Sequence, residues 1–284
     1  MQYNYNTTNL LSKKIEGNTI LATLYLAAQK NIMHAPMYGI QYDNKAINLS
    51  KINLCKNATN GCVTACIYHN GLFQNSHFSK NKIKQARIKR TFLFLVQKDD
   101  FFEKLIKEIK TLQRKAKKEN FKLLIQLNKT SDILWEKESF TYKEKEYQNI
   151  MQLFPDVQFF DYTKYNILKN RKKVPANYTL IYSRAGLNKG KLVETWDELK
   201  TLLDNNIDVA IVCSSSIKEY LLSLNSYNSY KVLEAEVAEQ NAFEYKRNSL
   251  EGYILIHEAK RGTNINKNSA FVLEEHKDLQ EYLN

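Results

Sequence analysis

In the second half of the chain, apolar residues gather in short unbroken runs rather than in strict alternation. Phe121–Leu127 (FKLLIQL), Val157–Phe160 (VQFF), Tyr178–Tyr182 (YTLIY), Asp208–Val212 (DVAIV), Lys231–Leu233 (KVL) and Gly252–His257 (GYILIH) have the character of strands buried on both faces. Helical spacing separates several of them, around Tyr142–Leu153, Thr195–Asp204 and Ser216–Leu224. Strand and helix in alternation predict a parallel sheet, open or closed into a barrel. The expected fold class is therefore α/β, a parallel (β/α) barrel-like or incompletely closed architecture.

The first 118 residues follow a different grammar. Residues 1–17 are polar, Thr19–Lys30 (TILATLYLAAQK) has helical apolar spacing, and Tyr38–Cys66 reads as loop with room for one short strand. Two helices fill Lys80–Lys118, the second with Phe101, Phe102, Leu105, Ile106, Ile109 and Leu112 on one face. With three Pro and eight Gly in 284 residues there is no linker-like stretch, and no internal repeat is evident. One domain spanning 1–284 is expected: an N-terminal helical and metal-loop extension (1–118) followed by a repeated β/α core (119–284).

Polar residues follow nearly every predicted strand. FKLLIQL runs into Asn128-Lys129-Thr130-Ser131-Asp132, VQFF into Asp161-Tyr162-Thr163-Lys164, and YTLIY into Ser183-Arg184. In parallel α/β folds, ligands bind beyond the carboxyl ends of the strands. These tails then predict a shared pocket, with Asp132 and Asp161 as its pair of carboxylates. Each Asp also has a plainer reading, as the cap of a turn or the start of a loop. Trp135, two residues beyond Ile133, could stack on a base or cover the core.

Three of the four cysteines lie within twelve residues, at Cys55, Cys62 and Cys66. A disulfide framework is not expected in so cysteine-poor a chain without a secretory leader. Clustered thiols in a reducing compartment point to zinc or an iron–sulfur cluster, with His69 or His77 as the candidate fourth ligand, or that position open. The plainer alternative is three packed thiols. No known zinc-ribbon or ferredoxin spacing is matched.

Charge adds a partner class. Lys and Arg number 42 against 30 Asp and Glu, a net charge of +12, which favours a polyanion through counterion release. Lys80–Arg90 (KNKIKQARIKR) holds six cations and no acid, including Lys82, Lys84, Arg87, Lys89 and Arg90. A second basic knot, Lys169, Arg171, Lys172 and Lys173, follows Asp161 in the loop before Pro175. These knots are the expected nucleic-acid contacts; a solvated basic surface is the alternative. No apolar run approaches the about 20 residues of a membrane span, so the expected location is the cytoplasm of the cell, not the membrane or the exterior. P-loop, Rossmann, zincin, α/β-hydrolase and zinc-deaminase motifs are all missing from the sequence.

The blocks NLC…GC…AC-x-Y (Asn53 to Tyr68), LNKTSDILWE (Leu127–Glu136), FPDVQFFDYTK (Phe154–Lys164) and PANYTLIYS (Pro175–Ser183) resemble a family of tailed-phage gene products described as radical-SAM-like. That family is associated with phage DNA transglycosylases that place 7-deazaguanine bases in DNA, which are similar to tRNA-guanine transglycosylases, metal-containing barrels. The chain departs from the C-x-C-x-x-C zinc signature of the tRNA enzymes. It also departs from the radical-SAM motif, because His69 stands where the third Cys would be. The resemblance implies base exchange in DNA, with Asp132 and Asp161 as nucleophile and acid/base in either order. It implies Trp135 and Tyr162 as the pair stacking on the extruded base, and Lys164, Arg171, Lys172 and Arg184 as phosphate contacts. It also implies a structural zinc, or alternatively a [4Fe-4S] cluster with S-adenosylmethionine, and an infected host cell as the setting.

Overall fold

The structure is a computed structural model that describes residues 9–27, 32–43, 45, 47–66, 77–259 and 269–283. In chain order its elements begin with β1 (Leu11–Glu16), β2 (Thr19–Leu24), α1 (Asn60–Ala65), α2 (His77–Val96), α3 (Lys98–Glu119) and β3 (Lys122–Gln126). A small hairpin follows, β4 (Phe140–Tyr142) and β5 (Lys145–Tyr147), then α4 (Ile150–Leu153), β6 (Gln158–Thr163), α5 (Ile167–Asn170) and β7 (Tyr178–Ser183). The rest comprises β8 (Leu187–Asn188), β9 (Lys191–Leu192), α6 (Trp196–Asp204), β10 (Val209–Cys213), α7 (Ser215–Leu224), β11 (Ser226–Tyr227) and β12 (Tyr230–Glu234). It closes with α8 (Ala235–Gln240), β13 (Ile254–Glu258), β14 (Val272–Leu273) and α9 (His276–Tyr282). All six strands expected from the apolar runs are present.

The chain forms two compact units. The first comprises Met1–Lys56, Leu72–Asp161 and Lys173–Thr179; the second comprises Asn57–Gly71, Tyr162–Lys172 and Leu180–Asn284. Strands β6 and β7 each begin in the first unit and end in the second.

In the first unit the strand order is β1-β2-β3-β6-β7. β2, β3 and β6 are parallel, with Ile20 opposite Leu123 and Ile125 opposite Phe159, and β1 is added antiparallel at the edge. Helix α3 buries Phe101, Phe102, Leu105, Ile106, Ile109 and Leu112, the face expected from its spacing. An aromatic cluster joins them: Phe94 lies 5.2 Å from both Phe101 and Trp135, and Phe102 stacks on Phe140 at 4.3 Å. Such pairs add to the burial of their large apolar area.

In the second unit the order is β7-β10-β13-β12-β11, with β14 also on β10. β7, β10, β13 and β12 are parallel, and β11 is antiparallel at the edge. Helix α6 starts with a reciprocal capping box between Thr195 and Glu198, which satisfies two of the N–H groups that a helix start leaves open.

Three expectations are corrected. Among the described residues no pairing joins the edge strands into a ring, so the sheet is open rather than a barrel. Thr19–Leu24 is a strand, not the start of a helix, because its β-branched residues pair on both sides, with β1 and with β3. The helix expected at Tyr142–Leu153 shrinks to α4, and the β4–β5 hairpin precedes it.

Candidate functional site

The first unit builds a densely hydrogen-bonded loop immediately past the carboxyl end of β3. Asn128 is the hub. Its Oδ1 accepts from Ser131 Oγ (2.9 Å), the Ile133 N–H (2.9 Å) and Trp135 Nε1 (3.1 Å), while Nδ2 donates to the Ile133 carbonyl (2.8 Å). Thr130 Oγ1 donates to the Leu26 carbonyl at 2.6 Å, beyond the end of β2. Asp132 is half-buried on this loop, and its N–H donates to the Leu54 carbonyl at 2.6 Å. Cys55, the next residue along, directs its thiol at the Thr130 carbonyl (3.6 Å). A side-chain amide that bonds two backbone groups and two side chains fixes a loop more firmly than turn propensity alone.

Asp161, within β6 and in the same unit, is fully buried. Its Oδ1 accepts the Asn128 N–H at 2.5 Å and its Oδ2 accepts the Tyr178 hydroxyl at 2.6 Å. The structure therefore links both predicted carboxylates through Asn128. It also separates their roles. Asp161 is enclosed and anchors the loop, a placement that suits a positioning role better than the expected acid/base role. Asp132 is the less buried of the two, half-buried with its Oδ1 enclosed. Asn128 and Tyr178 were missed in the sequence; the signal was an Asn directly after an apolar strand, followed by Ser and Asp at three and four residues.

Trp135 is fully buried between Phe94, Phe101 and Phe102. It is a core residue, not a platform for a base, because the aromatic cluster already occupies its faces. Tyr162, in the second unit, donates to Glu239 at 2.8 Å and packs edge-on to His257, with ring centroids 4.9 Å apart. Burial, and then the neighbouring Glu239, push its hydroxyl pKa well up, so it remains a neutral donor.

The expected basic contacts divide. On α2, in the first unit, Lys82 is exposed and Lys84 and Lys89 are half-buried, whereas Ile88 faces the core. Arg87 lies 5.0 Å from the centre of the Tyr25 ring, and Arg90 donates to the Asn9 carbonyl at 2.9 Å. In the second unit Arg171 and Arg184 are each only 2 % exposed, and Lys164 donates to Ser183 O, Ser183 Oγ and Arg184 O at 3.0–3.1 Å. The two arginines are built into the interior and present no surface to a nucleic-acid backbone; Lys164 is half-buried and Lys172 is exposed.

Cys62 and Cys66 belong to α1 and its cap, in the second unit, and both are half-buried, as is Cys55 in the first. His69 lies outside the described residues. Among the described residues, no three His, Cys, Asp or Glu side chains are grouped so as to hold one metal ion. Nor is any described helix long and apolar enough to cross a membrane.

Residues 9–273 match the family described as gene product 88. The chain belongs to the gene product 88 family. No curated protein and no solved structure matches it. The gene-product part of the expected resemblance is thereby shown, while kinship with transglycosylases or radical-SAM enzymes stays a matter of proposal.

Proposed function

We propose that this member of the gene product 88 family is a nucleic-acid-modifying enzyme, a base-exchange transglycosylase that inserts a 7-deazaguanine into DNA with Asp132 as nucleophile. One observation carries the reading: a half-buried carboxylate sits on a loop made rigid by Asn128, just past the carboxyl ends of parallel strands, where such sheets hold ligands. Rigid placement is what a nucleophile needs to meet C1′ at reacting distance.

In this reaction Asp132 attacks C1′ as the C1′–N9 bond breaks, and the departing guanine takes up a proton at N9. The incoming base then loses its N9 proton and attacks C1′, which releases Asp132. Protons balance over the cycle, and water can carry them. Asp161 is a positioning residue: it holds Asn128, and Asn128 holds the loop. Lys82, Lys84 and Lys89 of α2 would contact phosphates. No step passes through a metal.

The test measures incorporation of a labelled 7-deazaguanine into duplex DNA. Asp132→Asn should abolish incorporation with DNA affinity retained, and Asp161→Asn should lower it in proportion to lost folded protein. Full incorporation by Asp132→Asn would remove the assignment.

A further inference from the structure

In the second unit, Arg184 carries a guanidinium into the interior just past the end of β7. Nη1 donates to the Ala270 carbonyl at 2.6 Å, and the group lies 5.8 Å from the centre of the Tyr282 ring. Nη2 is buried and has no hydrogen-bond partner among the described residues. No described carboxylate forms an ion pair with it. Glu194 acts on it through space, but that carboxylate is engaged elsewhere: Oε1 accepts the N–H groups of Ala185 (2.7 Å) and Gly186 (3.2 Å), and Oε2 the Tyr182 hydroxyl (3.1 Å). A buried cationic donor left open in a native interior calls for a specific occupant.

The place in the sheet points the same way. β7 pairs with β10 at Tyr182–Val209 and Ser183–Ala210, after which β14 takes over beside Val212 and Cys213. Arg184 stands where β7 and β10 part, the kind of position at which open parallel sheets bind ligands. Lys164 places a second cation against the Ser183–Arg184 backbone. Planar, permanently charged guanidinium edges suit oxyanions in particular. Burial pushes the Glu194 carboxyl up.

We infer that the open edge of Arg184 binds a phosphate group, in a site of the second unit that is independent of the base-exchange chemistry proposed for Asp132. The full chain is titrated with inorganic phosphate, with dGMP and with chloride at matched ionic strength, read by unfolding temperature and by calorimetry. Phosphate or dGMP should stabilise saturably where chloride does not. Tighter binding of dGMP would identify a phosphomonoester as the source, and equal binding the free ion. Arg184→Lys should weaken binding at least tenfold. Glu194→Gln removes an opposing charge, keeps the arginine and should tighten binding severalfold; it serves as the second test if Arg184 variants fail to fold. Absence of saturable binding, or an affinity unchanged by both substitutions, would overturn the inference.

Discussion

Asn128→Ala is the sharpest test of how the Asp132 loop is held. The substitution deletes four side-chain hydrogen bonds, those with Ser131, Trp135 and both backbone groups of Ile133, but leaves the Asn128 N–H on Asp161. A net contribution of about 1 kcal/mol per bond, with the buried indole N–H of Trp135 left without an acceptor, gives a loss of about 3–5 kcal/mol. That is a large share of a typical total of about 5–15 kcal/mol. The chain has two tryptophans, so in a Trp196→Phe background the fluorescence of buried Trp135 reports urea unfolding of the first unit alone. Ser131→Ala, which removes one of the four bonds, should lose about 1 kcal/mol. A loss below about 1 kcal/mol for Asn128→Ala would refute the idea that its side chain organises the loop.

Tyr178→Phe removes the hydroxyl from Asp161 Oδ2 and should lower stability by about 1.5–3 kcal/mol, the range for a bond to a charged group, measured by the same fluorescence. Gly186 has φ +74°, and a Cβ there would stand 2.5 Å from the Ser269 carbonyl oxygen and 2.7 Å from the Phe271 nitrogen. Gly186→Ala should therefore lose about 2 kcal/mol or more, read as a lower urea midpoint with Trp196 as probe. Burial raises the pKa of Glu194 in the folded chain, so its protonated form binds the fold better. The stability it contributes is present below the ordinary carboxyl value and is lost as pH rises through the raised one. Glu194→Gln should flatten that fall in a series of urea midpoints across acidic pH; an unchanged slope would count against the assignment.

The strands were legible because burial on both faces leaves continuous apolar runs, and FKLLIQL or DVAIV needs no context to be read. Helix α6 was legible through its helical apolar spacing; the local capping box of Thr195 and Glu198 that starts it is seen only in the structure. The β4–β5 hairpin was not. Its two turn residues, Lys143 and Glu144, have φ +50° and +63°, a backbone usually announced by Asn or Gly, so the sequence offered a helical pattern instead. Thr19–Leu24 was misread because its strand identity comes from two pairing partners, one of them a hundred residues away. At the candidate site, the sequence pointed to Asp132 and Asp161 but could not tell exposure from burial. That difference depends on Tyr178 and Asn128, which meet Asp161 only through the pairing of β3, β6 and β7. The same blindness placed Arg184 at a surface and left Trp135 open between base and core, since an indole or a guanidinium looks alike in sequence whether it meets solvent or core.

The central claim is that the Asp132 carboxylate becomes covalently joined to deoxyribose. Its most direct test is an acid quench of the chain with duplex DNA carrying the target guanine, followed by proteolysis and mass spectrometry of the peptide that contains Asp132. A deoxyribosyl ester on Asp132, discharged by added 7-deazaguanine and missing from Asp132→Asn, is the predicted result. Base exchange that proceeds with no adduct at that residue, or with the adduct on another carboxylate, would contradict it.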